Sequence, residues 1–452
     1  MKKSFMLSVL SFLISCNLRA ETLQEVLSDS YENNLTVNAE RAAQRAVDEG
    51  VAKAKSGYRP YITAEGNAGR SYNKLDYVNP LMNDGEEYYQ NPMSVQVKLT
   101  QPIFSGLSTV NSVKAAKNQV KAGRNALLTA EQTILLNTVA VYMDVIRDKA
   151  VLELQENQEK VLKEHLASYR KRLKAGDLTR TDVAQSEARA SGATAARIAA
   201  QGQLKVSEAN FFSVLGKNPG ELEDVKKVNF TLPETMEEAL DLALKNNPKI
   251  LAANYAKESA KYTVKAKKGI LIPSVNVGIA AGRQKENISI DKDDYWQLQA
   301  NLSVPLYQSG AEYADIRQAK QLENRYRILW NKVLQDVHAE VVAAWENYTA
   351  SKAQTEAIKS QIKASKMALQ GVIREAKLGS RTVLDVLDAE QEYLDNQVAL
   401  VKTHREEIVS AYSLISAIGQ MNPTGLGLSV QAYDPKEYYE SVKNKWIGYG
   451  ID

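Results

Sequence analysis

Residues 107–173 and 309–376 each run for more than sixty positions without a proline, and both are rich in helix formers. A helix of 67 residues rising ~1.5 Å per residue is about 100 Å long, several times the diameter of an ordinary domain. Such a helix has to belong to a long coiled coil or a multi-helix tube. Val333, Val337, Val341, Ala344 and Tyr348 recur at the spacing of one buried stripe. The alanines of SGATAARIAAQG (191–202) let neighbouring helices approach closely. A compact enzyme has no use for elements of this kind.

The two stretches are copies of one another. TLQEVLSDSYENN (22–34) aligns with TMEEALDLALKNN (235–247), SGYRPYITAEGNAG (56–69) with KGILIPSVNVGIAAG (268–282), and LTQPIFSG (99–106) with LSVPLYQSG (302–310). AGDLTRTDVAQSEARA (175–190) then matches LGSRTVLDVLDAEQEY (378–393). Four landmarks in one order are the signature of an internal duplication. The offset drifts from 213 at Thr22/Thr235 to 203 at Gly176/Gly379, because segment 70–90 is longer than its counterpart. Each half predicts a helix (22–57, 235–269), two strands (60–71 and 91–104, 272–284 and 294–307), the long helix, a glycine turn, and a last helix (181–215, 382–419).

The first twenty residues are of another character. Lys2 and Lys3 precede an apolar run from Phe5 to Ile14 and end in small residues, the layout of a signal peptide. Cleavage after Ala20 is the expectation. Leu13-Ile14-Ser15-Cys16 also looks like a lipobox, and cleavage before Cys16 would leave a lipidated N-terminus. Losing Lys2, Lys3 and Arg19 brings the formal charge from +3 to 0, so the basic balance gives no argument for nucleic acid. Cys16 is the only cysteine, and an exported mature chain forms no internal disulfide.

The strands decide between water and membrane. Trp296, Leu298, Ala300, Leu302 and Val304 alternate with Gln297, Gln299, Asn301 and Ser303. Val275, Val277 and Ile279 alternate with polar or small neighbours, as do Val95, Val97 and Leu99, and the pattern is weaker around Ile62 and Ala64. A soluble sandwich packed on one face satisfies the same pattern. Export, strand lengths that cross a bilayer when tilted, and a largely uncharged polar face favour a membrane barrel. Four strands close no barrel and lipid tolerates no open edges, so several chains must share one barrel, with 8, 12 or 16 strands for two, three or four copies.

The two glycine phrases carry the remaining polar signals. Thr179-x-x-Asp182 and Thr382-x-x-Asp385 have the form of capping boxes, with the acid at the positive end of the helix dipole. Asp388 lies three residues after Asp385 on the same face, and capping does not explain it. A solvated polar face is the plain alternative, and Glu390 and Glu392 are assigned to one. His165, His338 and His404 are scattered, without metal-ligand spacing, and are read as surface or packing residues. DKDD (291–294) lacks the glycine and glutamate of a calcium loop and reads as a strand-connecting loop. No nucleophile–base arrangement emerges. The expectation is no enzyme activity, no cofactor and no metal.

Taken together, the duplicated unit, LTQPIFSG, the two glycine turns, RTVLDVLDAE and DPKEYYESVKNKWIG (434–448) resemble the TolC family of bacterial outer-membrane efflux proteins over nearly the whole mature chain. The resemblance implies an α+β membrane protein with long helical hairpins forming a periplasmic tube and four transmembrane β-strands per chain. It implies a homotrimer whose twelve strands close one barrel in outer-membrane lipid. The chain divides into a signal peptide (1–20), a first repeat (21–217), an equatorial linker (218–234), a second repeat (235–420) and a C-terminal equatorial segment (421–452). The implied function is export of proteins or small toxic compounds, with a periplasmic adaptor (membrane fusion) protein and an inner-membrane ABC or RND transporter as partners.

By the same resemblance, Asp385 and Asp388 constrict the entrance as rings of carboxylates, which crowding should push to raised pKa values. Arg381 matches a gate latch with Asp182 and Thr181 as its partners, and Gly176 and Gly379 match points where adaptor tips dock. Ala376 stands where the family's gate often has a tyrosine, which predicts fewer restraints. Two other classes compete. A passive porin has no need of long helices or a gated tip, and a structural coiled-coil envelope protein has no need of alternating strands.

Overall fold

A computed structural model describes residues 20–75, 86–285 and 292–450. The signal-peptide reading, Cys16 included, falls on residues outside that description. In chain order the elements are α1 (Leu23–Asn33), α2 (Leu35–Lys55), a 3-10 turn (Ser56–Tyr58), β1 (Tyr61–Ala68), β2 (Ser71–Leu75), β3 (Glu86–Gln90) and β4 (Met93–Ser105). There follow α3 (Ser108–Ala175), α4 (Arg180–Leu215), α5 (Met236–Asn246), α6 (Pro248–Gly269), β5 (Ser274–Lys285) and β6 (Lys292–Ser303). The chain ends with α7 (Ala311–Lys377), α8 (Val383–Ala417) and α9 (Pro435–Val442). The two long helices are thus 68 and 67 residues, each a single element. Val337, Val341 and Ala344 of the expected stripe are buried.

The described residues form two compact units, and each sequence repeat contributes to both. One unit takes residues up to Asn38, 130–247 and 338–432; the other takes 39–129, 248–337 and the residues from Tyr433 on.

The core of the first unit gathers Val26 and Leu27 of α1, Leu135, Val139, Tyr142 and Met143 of α3, Phe211 of α4, and Leu414 and Ile415 of α8, all buried. Tyr142 places its hydroxyl between the carbonyls of Glu21 (2.9 Å) and Glu223 (2.6 Å). Glu21 in turn pairs by backbone with Glu221 and Glu223, so the linker is tied to the start of the chain.

The expected first helix of each repeat is two helices. The breaks fall at Asn34 and Asn247, whose backbones are extended (ψ 127° and 120°). Asn247 precedes Pro248, and the ring of a proline disfavours helical backbone in the residue before it. Asn34 has no proline after it. Its side-chain oxygen instead accepts from the N–H groups of Thr36 and Val37, starting α2 as a cap. Each asparagine also donates to the end of its own repeat's final helix: Asn34 Nδ2 to Val214 O at 2.7 Å, and Asn247 Nδ2 to Ala417 O at 2.8 Å. The duplication therefore extends to a buried polar bond that no composition signal announces.

The second unit holds a four-stranded antiparallel sheet in the order β1-β4-β5-β6. Its register sets Ile62, Leu99, Ile279 and Leu298 side by side across all four strands. Two residues along, Ala64, Val97, Ala281 and Trp296 make the next apolar row. The intervening row, Thr63, Lys98, Ala280 and Gln297, points to the other face. On that polar face Gln96 donates to Glu65 (2.9 Å) and accepts from the Tyr295 hydroxyl (2.9 Å). The apolar face is exposed in the single chain, Trp296 by 78%.

Pro102 lies inside β4, an interior strand, and the register shifts there between Pro102 and Phe104, the kind of bulge that lets a proline sit in a sheet. Gly106, which follows β4, has φ +59°, and a Cβ on it would lie 2.1 Å from Gly269 O, so no other residue fits.

Two sequence readings are corrected here. The longer segment 70–90 contributes a second sheet, β2 paired with β3, that the two-strands-per-repeat expectation lacked. Of DKDD, Lys292 to Asp294 belong to β6 rather than to a loop, and Asp294 forms a two-pronged pair with Arg283 of β5. A charged run is stable at that strand end because the neighbouring strand supplies the countercharge. Asp291 lies outside the described residues. No helix among the described residues is long and apolar enough to cross a membrane.

Candidate functional site

The α3–α4 and α7–α8 turns are built alike. At the first, Gly176 N–H donates to Leu173 O and Asp177 N–H to Arg172 O; at the second, Gly379 N–H donates to Ala376 O and Ser380 N–H to Glu375 O. Both are Schellman endings, and they require the left-handed backbone that Gly176 (φ +87°) and Gly379 (φ +80°) supply. A Cβ on either would meet nothing within 4 Å, so the demand for glycine comes from backbone angle alone and the outer side of each turn is open.

Three residues past each glycine a capping box starts the next helix. Thr179 N–H donates to Asp182 Oδ2 at 3.0 Å, and Asp182 N–H donates to Thr179 Oγ1 at 3.2 Å. The second copy repeats this with Thr382 and Asp385 at 2.8 and 3.2 Å. The threonine hydroxyl also donates to the same carboxylate oxygen in each box, at 2.7 and 2.9 Å. These donors favour the charged form. Asp182 is held below the ordinary carboxylate range by the Thr179 side chain and backbone, and Asp385 by the Thr382 backbone and side chain, with Arg381 adding to the effect. In the single chain the cap alone sets the direction at Asp385, because the crowding expected there needs the carboxylates of further chains.

The two turns face one cleft of about 430 Å³, whose lining includes Asp182, Arg381, Thr382, His165 and Ala376. Within it Arg381 does not bond to Asp182. Its Nε donates to Glu375 Oε2 at 2.9 Å, while Asp182 is engaged by Thr179. Thr181 is exposed on the first turn of α4. Asp388 is exposed and pairs with Arg189 of α4 at 2.6 Å.

Glu390 departs from its sequence reading. It is buried, and its Oε1 lies 3.2 Å from His165 Nε2, while its Oε2 is buried without a hydrogen-bond partner. His165 Nδ1 lies 3.2 Å from the Tyr169 hydroxyl, completing a chain across α3 and α8. The hydrogen bond to Glu390 raises the His165 pKa against the opposing effect of burial, with the charge of Glu164 adding to the rise. The signal was present in spacing: Val383, Leu387, Glu390 and Leu394 follow the 4-3-4 steps of a coiled-coil seam, so Glu390 is an acid in an apolar stripe. Below it Leu162, Ala190, Ala193 and Leu387 pack together, with Leu166 and Val383 against them.

Comparison with known proteins places this geometry among relatives. The family model described as "Outer membrane efflux protein" matches residues 26–217 and 239–420. The outer membrane efflux protein BepC of Brucella suis is 37% identical over 431 residues, covering 95% of this chain and 92% of that protein. The outer membrane protein TolC of Vibrio cholerae is 25% identical, covering 93% and 96%. Among solved structures, the outer membrane protein VceC of Vibrio cholerae superposes with a TM-score of 0.76 at 18% identity, over 88% of this chain and 96% of that one.

Proposed function

Because the chain belongs to the outer membrane efflux protein family, we propose that it works as a homotrimeric export channel whose entrance is gated at the two glycine turns. The coarser part is settled by the family: the protein is an outer-membrane channel for export with a periplasmic tunnel. The observation that carries the finer reading is the sheet. It has β1 and β6 as free edges and an apolar row running across all four strands. In lipid such edges must be paired, and further copies of the same chain supply the pairing.

In the trimer, Asp385 and Asp388 of three chains form the constriction, six carboxylates around one opening that attract and hold cations. Arg381, with Asp182 and Thr181, latches the closed entrance. The open outer sides of Gly176 and Gly379 receive a periplasmic adaptor protein, and an inner-membrane transporter of the ABC or RND class supplies energy. The cargo is proteins, small toxic compounds, or both.

Heat-modifiable trimers in outer-membrane fractions, conducting as single channels in planar bilayers, are the expected result. Purified protein that neither associates with membranes nor conducts would refute the reading. The gate assignment is tested separately by Asp385→Ala with Asp388→Ala, which should weaken block by divalent or trivalent cations. Unchanged block would move the constriction elsewhere.

A further inference from the structure

The last described stretch, 443–450 (KNKWIGYG), belongs neither to the tip nor to the sheet. It is tied to the root of edge strand β1. Arg59 Nη1 donates to Lys445 O at 2.8 Å, and the Arg59 guanidinium stacks on the Trp446 ring at 4.9 Å. Lys55 Nζ donates to Asn444 Oδ1 at 2.6 Å. Since Arg59 stands two residues before Tyr61, the segment sits at the rim where helices join the strands.

Its side chains are not those of a solvated tail. Trp446, Ile447 and Tyr449 are all exposed, Trp446 by 65%, and so are Tyr58 and Tyr61 on either side of Arg59. Exposed large apolar groups in one place mark an interaction surface. The charges around them are mostly positive, with Glu440 the one acid acting on Lys55. Burial, and then the nearby charges of Lys117, Lys443 and Arg59, hold the Lys55 ammonium below its ordinary pKa, with Glu440 acting the other way. Glu440 itself is paired with Lys443. The Lys445 ammonium turns back on Gly450 O at 2.9 Å.

Aromatic rings with clustered cations, at the edge of an apolar band, are what a bilayer interface selects: rings at headgroup depth, ammonium and guanidinium groups on phosphate. The band itself begins close by, since Ile62 of the first apolar row follows Tyr61 directly. We infer that residues 443–450, with Lys55, Arg59 and Lys117, form a docking surface for anionic phospholipid headgroups on the helix side of the sheet. This inference rests on the outer-membrane placement and adds a specific lipid contact to it.

The test is lipid retention by the full-length protein, released from nanodiscs made with equal phosphatidylglycerol and phosphatidylcholine and weighed by native mass spectrometry. The wild type should keep phosphatidylglycerol severalfold over phosphatidylcholine, and Lys443→Gln/Lys445→Gln/Trp446→Ala should lose that preference with conductance unchanged. Equal retention of both lipids by the wild type overturns the proposal, as does an undiminished preference in the variant. If the triple variant does not assemble, Lys443→Gln/Lys445→Gln alone, which leaves the ring in place, decides by the same readout. Dissociation of that double variant into single chains would make the segment a subunit contact and also overturn the proposal. Failure of the membrane reading looks different, since the wild type would then not enter the nanodisc at all.

Discussion

Arg189 Nη2 lies 2.6 Å from Asp388 Oδ1, joining the last helix of the first repeat to that of the second. The acid is one of the places where the repeats differ, because Gln185 stands at the matching position of the first copy. The duplication has therefore been broken on one side and answered on the other: a carboxylate appears in α8 and a guanidinium from α4 meets it. Asp385 has no such asymmetry, since Asp182 repeats it in sequence and in every capping bond.

Both partners of the Arg189–Asp388 pair are exposed, 41% and 56% at the side chains, so the pair stabilises the fold by at most about 1 kcal/mol. Its larger effect is on local charge. Arg189→Gln is expected to leave the melting temperature nearly unchanged while strengthening divalent-cation block in single-channel recordings. The difference should shrink as salt is raised and screening lengths shorten. Block that is insensitive to Arg189→Gln at low salt would remove Asp388 from the constriction.

The two capping boxes make a matched experiment. Thr179→Ala and Thr382→Ala each remove one side-chain acceptor and one donor to the carboxylate, and each should cost about 1 kcal/mol of local stability. Hydrogen exchange at the first-turn amides of α4 and α8 reads this directly, and protection should fall at the mutated helix alone. The pH dependence follows from the depressed carboxylates. Their stabilisation is present above the unfolded pKa of about 3.9 and is lost as pH falls through the lower folded value. Protection of both helix starts should therefore hold at pH 5 and fade below 4. A loss beginning near pH 6 would point to other groups.

Much of this is legible in the sequence. The glycines at 176 and 379, the threonine–aspartate boxes and the strand alternation are local signals, each set by one backbone angle, one cap or one period. What was not legible depends on pairs far apart in the chain. Asn34 and Asn247 look like interior helix residues until their bonds to Val214 and Ala417 are seen. Arg189 and Asp388 are 199 positions apart. Glu390 reads as part of a solvated face with Glu392, yet it is buried, as its seam spacing with Leu387 and Leu394 requires. The extra β2–β3 pair left only a length difference between the repeats, which carries no shape.

The asparagine pair predicts equivalent failures in the two repeats. Asn247→Ala leaves the Ala417 carbonyl without that donor in a buried setting, and such a group costs about 1–3 kcal/mol. Asn34→Ala loses both the bond to Val214 and the cap on α2, so it should destabilise at least as much. The melting temperature of the purified protein should drop for both variants. Asn247→Leu tests the polar bond specifically, because it keeps the size and removes the N–H without adding a charge. A variant as stable as the wild type would show the bond to be incidental.

His165 and Glu390 give a pH response at higher pH than the caps. The folded pKa of His165 is raised, first by its bond to Glu390 and further by the charge of Glu164, with burial opposing. A group raised on folding contributes its full stabilisation below the unfolded value, about 6.5, and loses it as pH climbs through the folded value. The clasp between α3 and α8 is thus tightest in mildly acidic medium and weakens on the alkaline side. Asp182 and Asp385 titrate below this window, and Arg381, which lines the same cleft, is raised further by Glu375. Raising pH from 6 to 9 should accordingly lower the protection factors, which are corrected for the intrinsic rise of amide exchange with pH, around His165 and Glu390, and increase conductance through the proposed gate. His165→Gln should flatten both responses. Glu390→Gln should instead move them to lower pH, because burial then acts on His165 without its countercharge. Wild-type-like pH steps in His165→Gln would mean that the coupling lies in other groups.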